Sequence, residues 1–190
     1  LQREGYGFIG WFADEDCPKA FDFSRPVAEA TTLYAKWTKH GGKGTDEGLL
    51  PTENPDGTTG QDAWWGIATD GALHIVCENG SSVAPLGFKF DEVRDKYWEP
   101  YSNDVTAVRM ERNVKARDAV GWFKRMPLTD VSKGFFIPEN CEDASFLLYF
   151  CSSLRVLPDG IFEGVKNLKR VGGMLQSCSN LKTLPDDFVL

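Results

Sequence analysis

Cysteine and histidine are the side chains best suited to nucleophilic, acid–base or metal chemistry, and this chain of 190 residues holds five of the first and two of the second. Cys17, Cys77, Cys141, Cys151 and Cys178 include no Cys-x-x-Cys pair, so zinc-ribbon and thioredoxin-type spacings are absent. His40 sits in the run His40-Gly41-Gly42-Lys43-Gly44, where a polar side chain needs no special explanation. His74 lies close to Cys77 in the run Leu73-His74-Ile75-Val76-Cys77. In an extended chain alternate side chains share a face, so Leu73, Ile75 and Cys77 point one way and His74 the other. A thiolate and its base would face apart, and the spacing predicts a core thiol and a surface imidazole rather than a hydrolase.

The carboxylates are grouped as Asp14-Glu15-Asp16, Glu139 with Glu142-Asp143, and Asp186-Asp187. None has the alternating acidic spacing and glycine of a calcium loop, and nothing selects one pair for glycoside chemistry, so they read as solvated surface groups. Gly-x-Ser-x-Gly, His-Glu-x-x-His, Gly-x-Gly-x-x-Gly and P-loop motifs are absent. No catalytic residue, metal site or cofactor is expected.

The elements that would position any site follow from composition and periodicity. With 42% hydrophobic and 13% aromatic residues the composition is that of a globular protein. The 21 Lys and Arg against 28 Asp and Glu leave a net charge of -7, which removes the basic footprint that nucleic-acid binding needs. No stretch approaches the ~18–20 apolar residues of a membrane span, so no membrane insertion is expected within this segment. The chain begins at Leu1 without Met and ends at Leu190, and we expect it to be part of a longer protein.

Residues 1–37 are rich in aromatics and β-branched residues punctuated by Gly5, Gly7, Gly10, Pro18 and Pro26, the language of strands and turns. In Thr31-Thr32-Leu33-Tyr34-Ala35-Lys36-Trp37 alternation places Leu33, Ala35 and Trp37 on the buried face, with Tyr34 and Lys36 opposite. Residues 38–61 are polar, rich in Gly, Pro and Asp, and read as a linker in which the Leu49-Leu50 pair docks at most locally. Residues 62–117 resume strand character, with Asp70-Gly71 between two alternating runs predicting a hairpin with a type I′ turn. Val105–Met110 alternates as a further strand, and Trp98 and Tyr101 offer either a stacking platform for sugars or a cap on the core.

Residues 118–190 repeat themselves. Cys151-Ser152-Ser153-Leu154-Arg155-Val156-Leu157-Pro158-Asp159 recurs as Cys178-Ser179-Asn180-Leu181-Lys182-Thr183-Leu184-Pro185-Asp186, 27 residues on. A weaker copy aligns Gly121-Trp122-Phe123 with Gly173-Met174-Leu175, and Asn167-Leu168-Lys169-Arg170-Val171 echoes the pattern at about half that period. Leu-x-x-Leu cores at such a period are the signature of units that must stack to bury their apolar faces.

Two resemblances accompany these patterns. Arg3-Glu4-Gly5-Tyr6, Phe8, Gly10-Trp11, Asp14, Asp22-Phe23-Ser24, Pro26-Val27 and Thr32-Leu33-Tyr34-Ala35-Lys36-Trp37 resemble the Listeria-Bacteroides repeat, a β-grasp-like module of bacterial surface proteins, here without the strand and Asn-Gly-Gly turn that open the family pattern. The repeated Cys-Ser-x-Leu stretches, with Leu184-Pro185-Asp186-Asp187-Phe188, resemble BspA-type leucine-rich repeats, and the segment around Asp70-Gly71 and Tyr97-Trp98 resembles their lead-in. The resemblances imply an α+β, mainly β fold: a truncated β-grasp-like repeat at 1–37, a linker at 38–61, a β-rich lead-in at 62–117 and a short leucine-rich-repeat solenoid at 118–190.

They imply in turn a non-enzymatic adhesion region on the cell surface or in the cell wall, outside the cell, with a host or matrix protein or a surface glycan as partner. In such a solenoid the outward strand positions are Arg155, Lys169, Arg170, Lys182 and Thr183, with Arg155, Lys169 and Lys182 as a basic row that either meets a ligand or keeps an exposed edge solvated. Trp98 and Tyr101 are the second candidate ligand contacts. Cys151 and Cys178 on adjacent coils would approach within disulfide reach, or stack as two small apolar side chains in equivalent holes. A passive stalk and a glycan-active enzyme are the competing functions.

Overall fold

In the computed structural model, residues 3, 6–13, 21–24, 26–27, 29–42, 48–77, 80–88, 96–110, 114–129, 131–186 and 188 are described. Asp14-Glu15-Asp16, Cys17, Lys43-Gly44 and Asp187 lie outside them. The described strands are β1 (Gly7–Phe12), β2 (Tyr34–Gly41), β3 (Leu49–Glu53), β4 (Thr59–Ala68), β5 (Ala72–Cys77), β6 (Ser82–Val83) and β7 (Ala107–Met110), with a 3-10 helix at Glu99–Asp104. They form a single sheet in which β1, β2, β4, β3 and β6 are neighbours in that order, β5 also pairs with β4, and β7 with β5. Every pair is antiparallel except β5–β7.

The β4–β5 hairpin forms at Asp70-Gly71, with Trp65 opposite Ile75 and Ile67 opposite Leu73. Its turn differs from the expected type I′. Gly71 alone takes a left-handed φ, of 82°, its N–H donates to the Ala68 carbonyl at 3.0 Å, and the Asp70 carboxylate accepts the Ala72 N–H at 2.9 Å. One left-handed glycine after an ordinary turn closes the hairpin as well as two would.

The segment expected as a linker supplies strands instead. β2 runs on to Gly41, Leu49 and Leu50 pair with Trp64 and Ala63 in β3, and β4 begins at Thr59. Leu50 and Thr52 are fully buried. Sequence polarity did not betray this because the buried side of β3 rests on only two residues, too few for a periodic signal.

The sheet buries both faces. Ala63, Trp65 and Ile67 of β4 with Leu73, Ile75 and Cys77 of β5 enter a large core that continues through Trp98, Trp122, Phe123 and Leu147 to Leu154 and Cys178. The alternate residues Trp64, Ala68 and Val76 join Ile9 and Phe12 of β1 in a second, smaller core. Strand alternation therefore separates two interiors rather than inside from outside, and two expectations reverse. His74, expected at the surface, is 2% exposed, and Lys36 and Thr38 of β2 are buried where Trp37 is only half-buried. Lys36 lays its ammonium 5.0 Å from the Phe12 ring, an aliphatic stem in the core with a cation–π contact at its tip.

The α+β, mainly β fold with a leucine-rich-repeat solenoid is corrected by the structure. Among the described residues there is no α-helix, and residues 114–188 add no strand to the sheet, only isolated bridges such as Asp118 with Asp143 and Asp143 with Arg170. The region is built of turns. Gly121 and Arg125, Phe146 and Phe150, and Gly173 and Ser177 all take left-handed φ values between 57° and 65°. Two left-handed residues four apart break any extended run, so a strand cannot form there.

Each turn closes on itself and binds the next. Lys124, Tyr149 and Gln176 donate N–H bonds three residues back to Gly121, Phe146 and Gly173, at 3.2, 3.0 and 3.1 Å. Alternate N–H groups reach the following turn, Gly121 to Ser145 and Phe123 to Leu147 at 3.0 Å, then Phe146 to Gly172 at 2.9 Å and Leu148 to Met174 at 3.0 Å. Backbone polar groups that a strand ladder would satisfy are thus satisfied from turn to turn.

Candidate functional site

The basic residues singled out from the sequence do not form one row. Lys169 is exposed but donates to Glu142 Oε2 at 3.0 Å, and beside it Arg170 Nε meets Asp143 Oδ2 at 2.6 Å. The carboxylate pair Glu142-Asp143 and the cation pair Lys169-Arg170 neutralise one another across neighbouring turns. Asp143 also accepts the Ser145 N–H at 2.9 Å; partial burial works against its charge, yet Arg170 and Ser145 hold its carboxyl below the usual range.

Arg155 and Lys182 behave differently. They occupy equivalent places in the two copies of the 27-residue repeat, and with Val156, Asn180 and Thr183 they line a shallow hollow of about 440 Å³. Both are exposed, and neither has an ion-pair partner among the described residues. Asn180 Nδ2 donates to the Ser152 carbonyl at 2.7 Å and ties the second copy to the first. Val156 is half exposed, a solvated apolar patch beside the two cations. The hollow offers two charged donors and an apolar contact, the equipment to hold an anionic group on a larger partner.

Trp98 and Tyr101 are placed apart from that hollow and from solvent stacking. Trp98 is fully buried, its Nε1 donates to the Trp122 carbonyl at 2.7 Å, and its ring packs against Trp65, Phe88, Trp122 and Phe123. It is a core residue with no face left for a sugar. Tyr101 is half-buried and stacks on His40 with ring centroids 3.9 Å apart. The pair sits beside Asp104, which lies 3.0 Å from Lys39 Nζ and 3.7 Å from His40 Nε2; the hydrogen bond and charge of Lys39 hold the Asp104 carboxyl below its ordinary value. These contacts fasten β2 to the 3-10 helix.

The thiols are spent on packing. Cys77, Cys141, Cys151 and Cys178 are buried thiols outside any disulfide, so Cys151 and Cys178 are not joined. Cys151 Sγ donates to the Phe123 carbonyl and Cys178 Sγ to the Leu148 carbonyl, each at 3.1 Å. Burial pushes the Cys141 thiol up to about 11 and raises that of Cys178, which suppresses the thiolates that metal binding or nucleophilic attack would use. His74 is no base for Cys77 either. Burial, aided by the charge of Lys36, lowers its pKa to about 3.

Among the described residues no group of three His, Cys, Asp or Glu side chains is placed to hold a metal ion, and no helix is long and apolar enough to cross a membrane. A second hollow, absent from the sequence-based expectations, lies among Trp11, Tyr34 and Trp37. Trp11 and Trp37 come from different strands, and the β1–β2 register of Trp11 with Ala35 and Phe8 with Trp37 brings them onto one face.

Residues 1–36 match the model of the Listeria-Bacteroides repeat domain, a repeat of surface proteins. The matched stretch covers β1 and the start of β2. The comparisons do not support a BspA-type leucine-rich-repeat region in the remainder of the chain. No curated protein and no solved structure matches the chain.

Proposed function

We propose that this chain is a non-enzymatic binding region of an extracellular bacterial surface protein, with residues 1–37 as the surface repeat and residues 118–190 as the ligand-bearing part. The observation that carries the reading is the Arg155–Lys182 hollow, which concentrates two solvent-facing cations on a chain of net charge -7. Its ligand is an anionic group on a host or matrix protein or on a surface glycan. The repeat match supports the surface setting, and the raised thiols of Cys141 and Cys178 and the neutral His74 support the absence of covalent chemistry.

An acidic chain should ignore an anionic resin unless a local cationic site engages it. Retention on immobilised sulfated oligosaccharide or on a polyglutamate peptide is expected at low salt. The pair Arg155→Glu with Lys182→Glu is expected to weaken it by about tenfold or more while leaving the thermal midpoint unchanged. Absence of retention, or retention that ignores both substitutions, overturns the assignment and leaves a passive spacer.

A further inference from the structure

The hollow where β1, β2 and the β4–β5 turn meet is about 400 Å³ in volume and is lined by Trp11, Tyr34 and Trp37 with Lys36, Thr69 and Asp70 around them. That volume falls within the ~300–1,000 Å³ of small-ligand sites. Large aromatic rings are ordinarily sunk into a core, yet here Trp11 and Trp37 are half-buried and Tyr34 is 41% exposed. The two tryptophan rings are nonetheless held in place. Phe8 meets Trp11 edge-on at 5.9 Å and Trp37 edge-on at 5.2 Å, and the Thr69 N–H donates to the Trp37 carbonyl at 3.1 Å. Trp11 stands opposite Ala35, whose small side chain leaves the space above β2 unfilled.

The polar lining narrows the occupant. Asp70 spends Oδ1 on the Ala72 N–H, and its second oxygen remains an acceptor at the turn. A wholly apolar ligand would desolvate that carboxylate without a hydrogen bond, and an anionic one would meet its charge at close range, since the Lys36 ammonium is buried against the Phe12 ring. A ring with apolar C–H faces and a rim of hydroxyl donors satisfies the aromatic surfaces and the carboxylate together. We propose that this hollow is a binding site for a neutral saccharide, whose pyranose face stacks on Trp11 and Trp37, which share one face of the β1–β2 pair, while a hydroxyl donates to Asp70. The inference deepens the surface-binding reading and depends on it, with a site separate from Arg155 and Lys182.

The test is a titration of the intact chain with cellotetraose and with tetra-N-acetylchitotetraose, followed by tryptophan fluorescence and saturation-transfer NMR. A fluorescence change with saturation transfer at millimolar sugar is expected. It should weaken by about tenfold in Trp11→Ala and Trp37→Ala, the loss of one good stacking contact each. Asp70→Asn, which keeps an acceptor for the Ala72 N–H and so keeps the turn, should weaken it too, and it guards against misfolding of the aromatic variants. Failure of both sugars, sugar binding unaffected by all three substitutions, or binding of a proline-rich peptide in place of sugars overturns the proposal. Retention on the anionic resin through Arg155 and Lys182 reports on the broader reading alone: if it persists while the sugars fail, only this inference falls.

Discussion

His74 carries a pH dependence that follows from its burial. It is 2% exposed, its Nε2 has no hydrogen-bond partner among the described residues, and desolvation first and the Lys36 charge second lower its pKa from 6.5 to about 3. In the unfolded chain the imidazole takes up a proton below its ordinary value, while the folded one cannot until far lower. Native stability is therefore fully present above 6.5 and is lost as pH falls from there toward 3. The slope contributed is about 1.4 kcal/mol per pH unit at most. Urea midpoints measured between about pH 7 and about pH 5 isolate it, since carboxylates titrate lower. His74→Leu is expected to flatten the slope, and an unaltered slope would place the imidazole in contact with water.

At the scale of the element, the stacked turns depend on backbone shape more than on side-chain identity. Gly121, Phe146 and Gly173 occupy one left-handed position of the turn, and Arg125, Phe150 and Ser177 the other. A side chain at such a φ costs roughly 1–2 kcal/mol that glycine avoids. Ser177 is exposed, and Ser177→Gly is expected to raise the denaturant midpoint by about 0.5–1 kcal/mol equivalent, after glycine's own entropy loss. Gly173→Ala should do the reverse by more than about 1 kcal/mol, because the added Cβ meets the Phe146 ring in addition to the strained φ. Equal and small effects at both positions would mean that the turns are not rigidly formed.

At the scale of the whole molecule, the sheet and the stacked turns share one core, and the ion pair between Glu99 and Lys124 sits within it. Lys124 Nζ lies 3.1 Å from Glu99 Oε1, with side chains 4% and 6% exposed, and joins the 3-10 helix to the first turn next to the Trp98–Trp122 hydrogen bond. Two charges buried together are nearly self-compensating; one left alone is not. Glu99→Gln is expected to cost about 3–5 kcal/mol in chemical denaturation, whereas Glu99→Leu combined with Lys124→Met should recover most of it. A single-substitution loss below about 1 kcal/mol would show that water reaches the pair.

Local signals in the sequence reached as far as local physics does. Asp-Gly placed the β4–β5 hairpin, the aromatic and glycine pattern of residues 1–36 marked the surface repeat, and the 27-residue recurrence marked Arg155 and Lys182 as equivalent. Each rests on neighbours in the chain, where side-chain type and backbone preference act directly. Tertiary structure alone decided the rest. Alternation in β2 and β5 marks two faces but not which is wet, and a second core beneath Phe12 and Trp64 buried Lys36 and His74. Trp98 became a core residue because Trp122 and Phe123 pack on it from distant chain, and Lys169 lost its freedom to Glu142 for the same reason. The repeated segments became turns because the sum of left-handed residues and turn-to-turn hydrogen bonds outweighs the extended form their leucines suggested. Burial and pairing are properties of which segments meet, and that is settled only when the whole chain has minimised its exposed apolar surface and its unpaired polar groups.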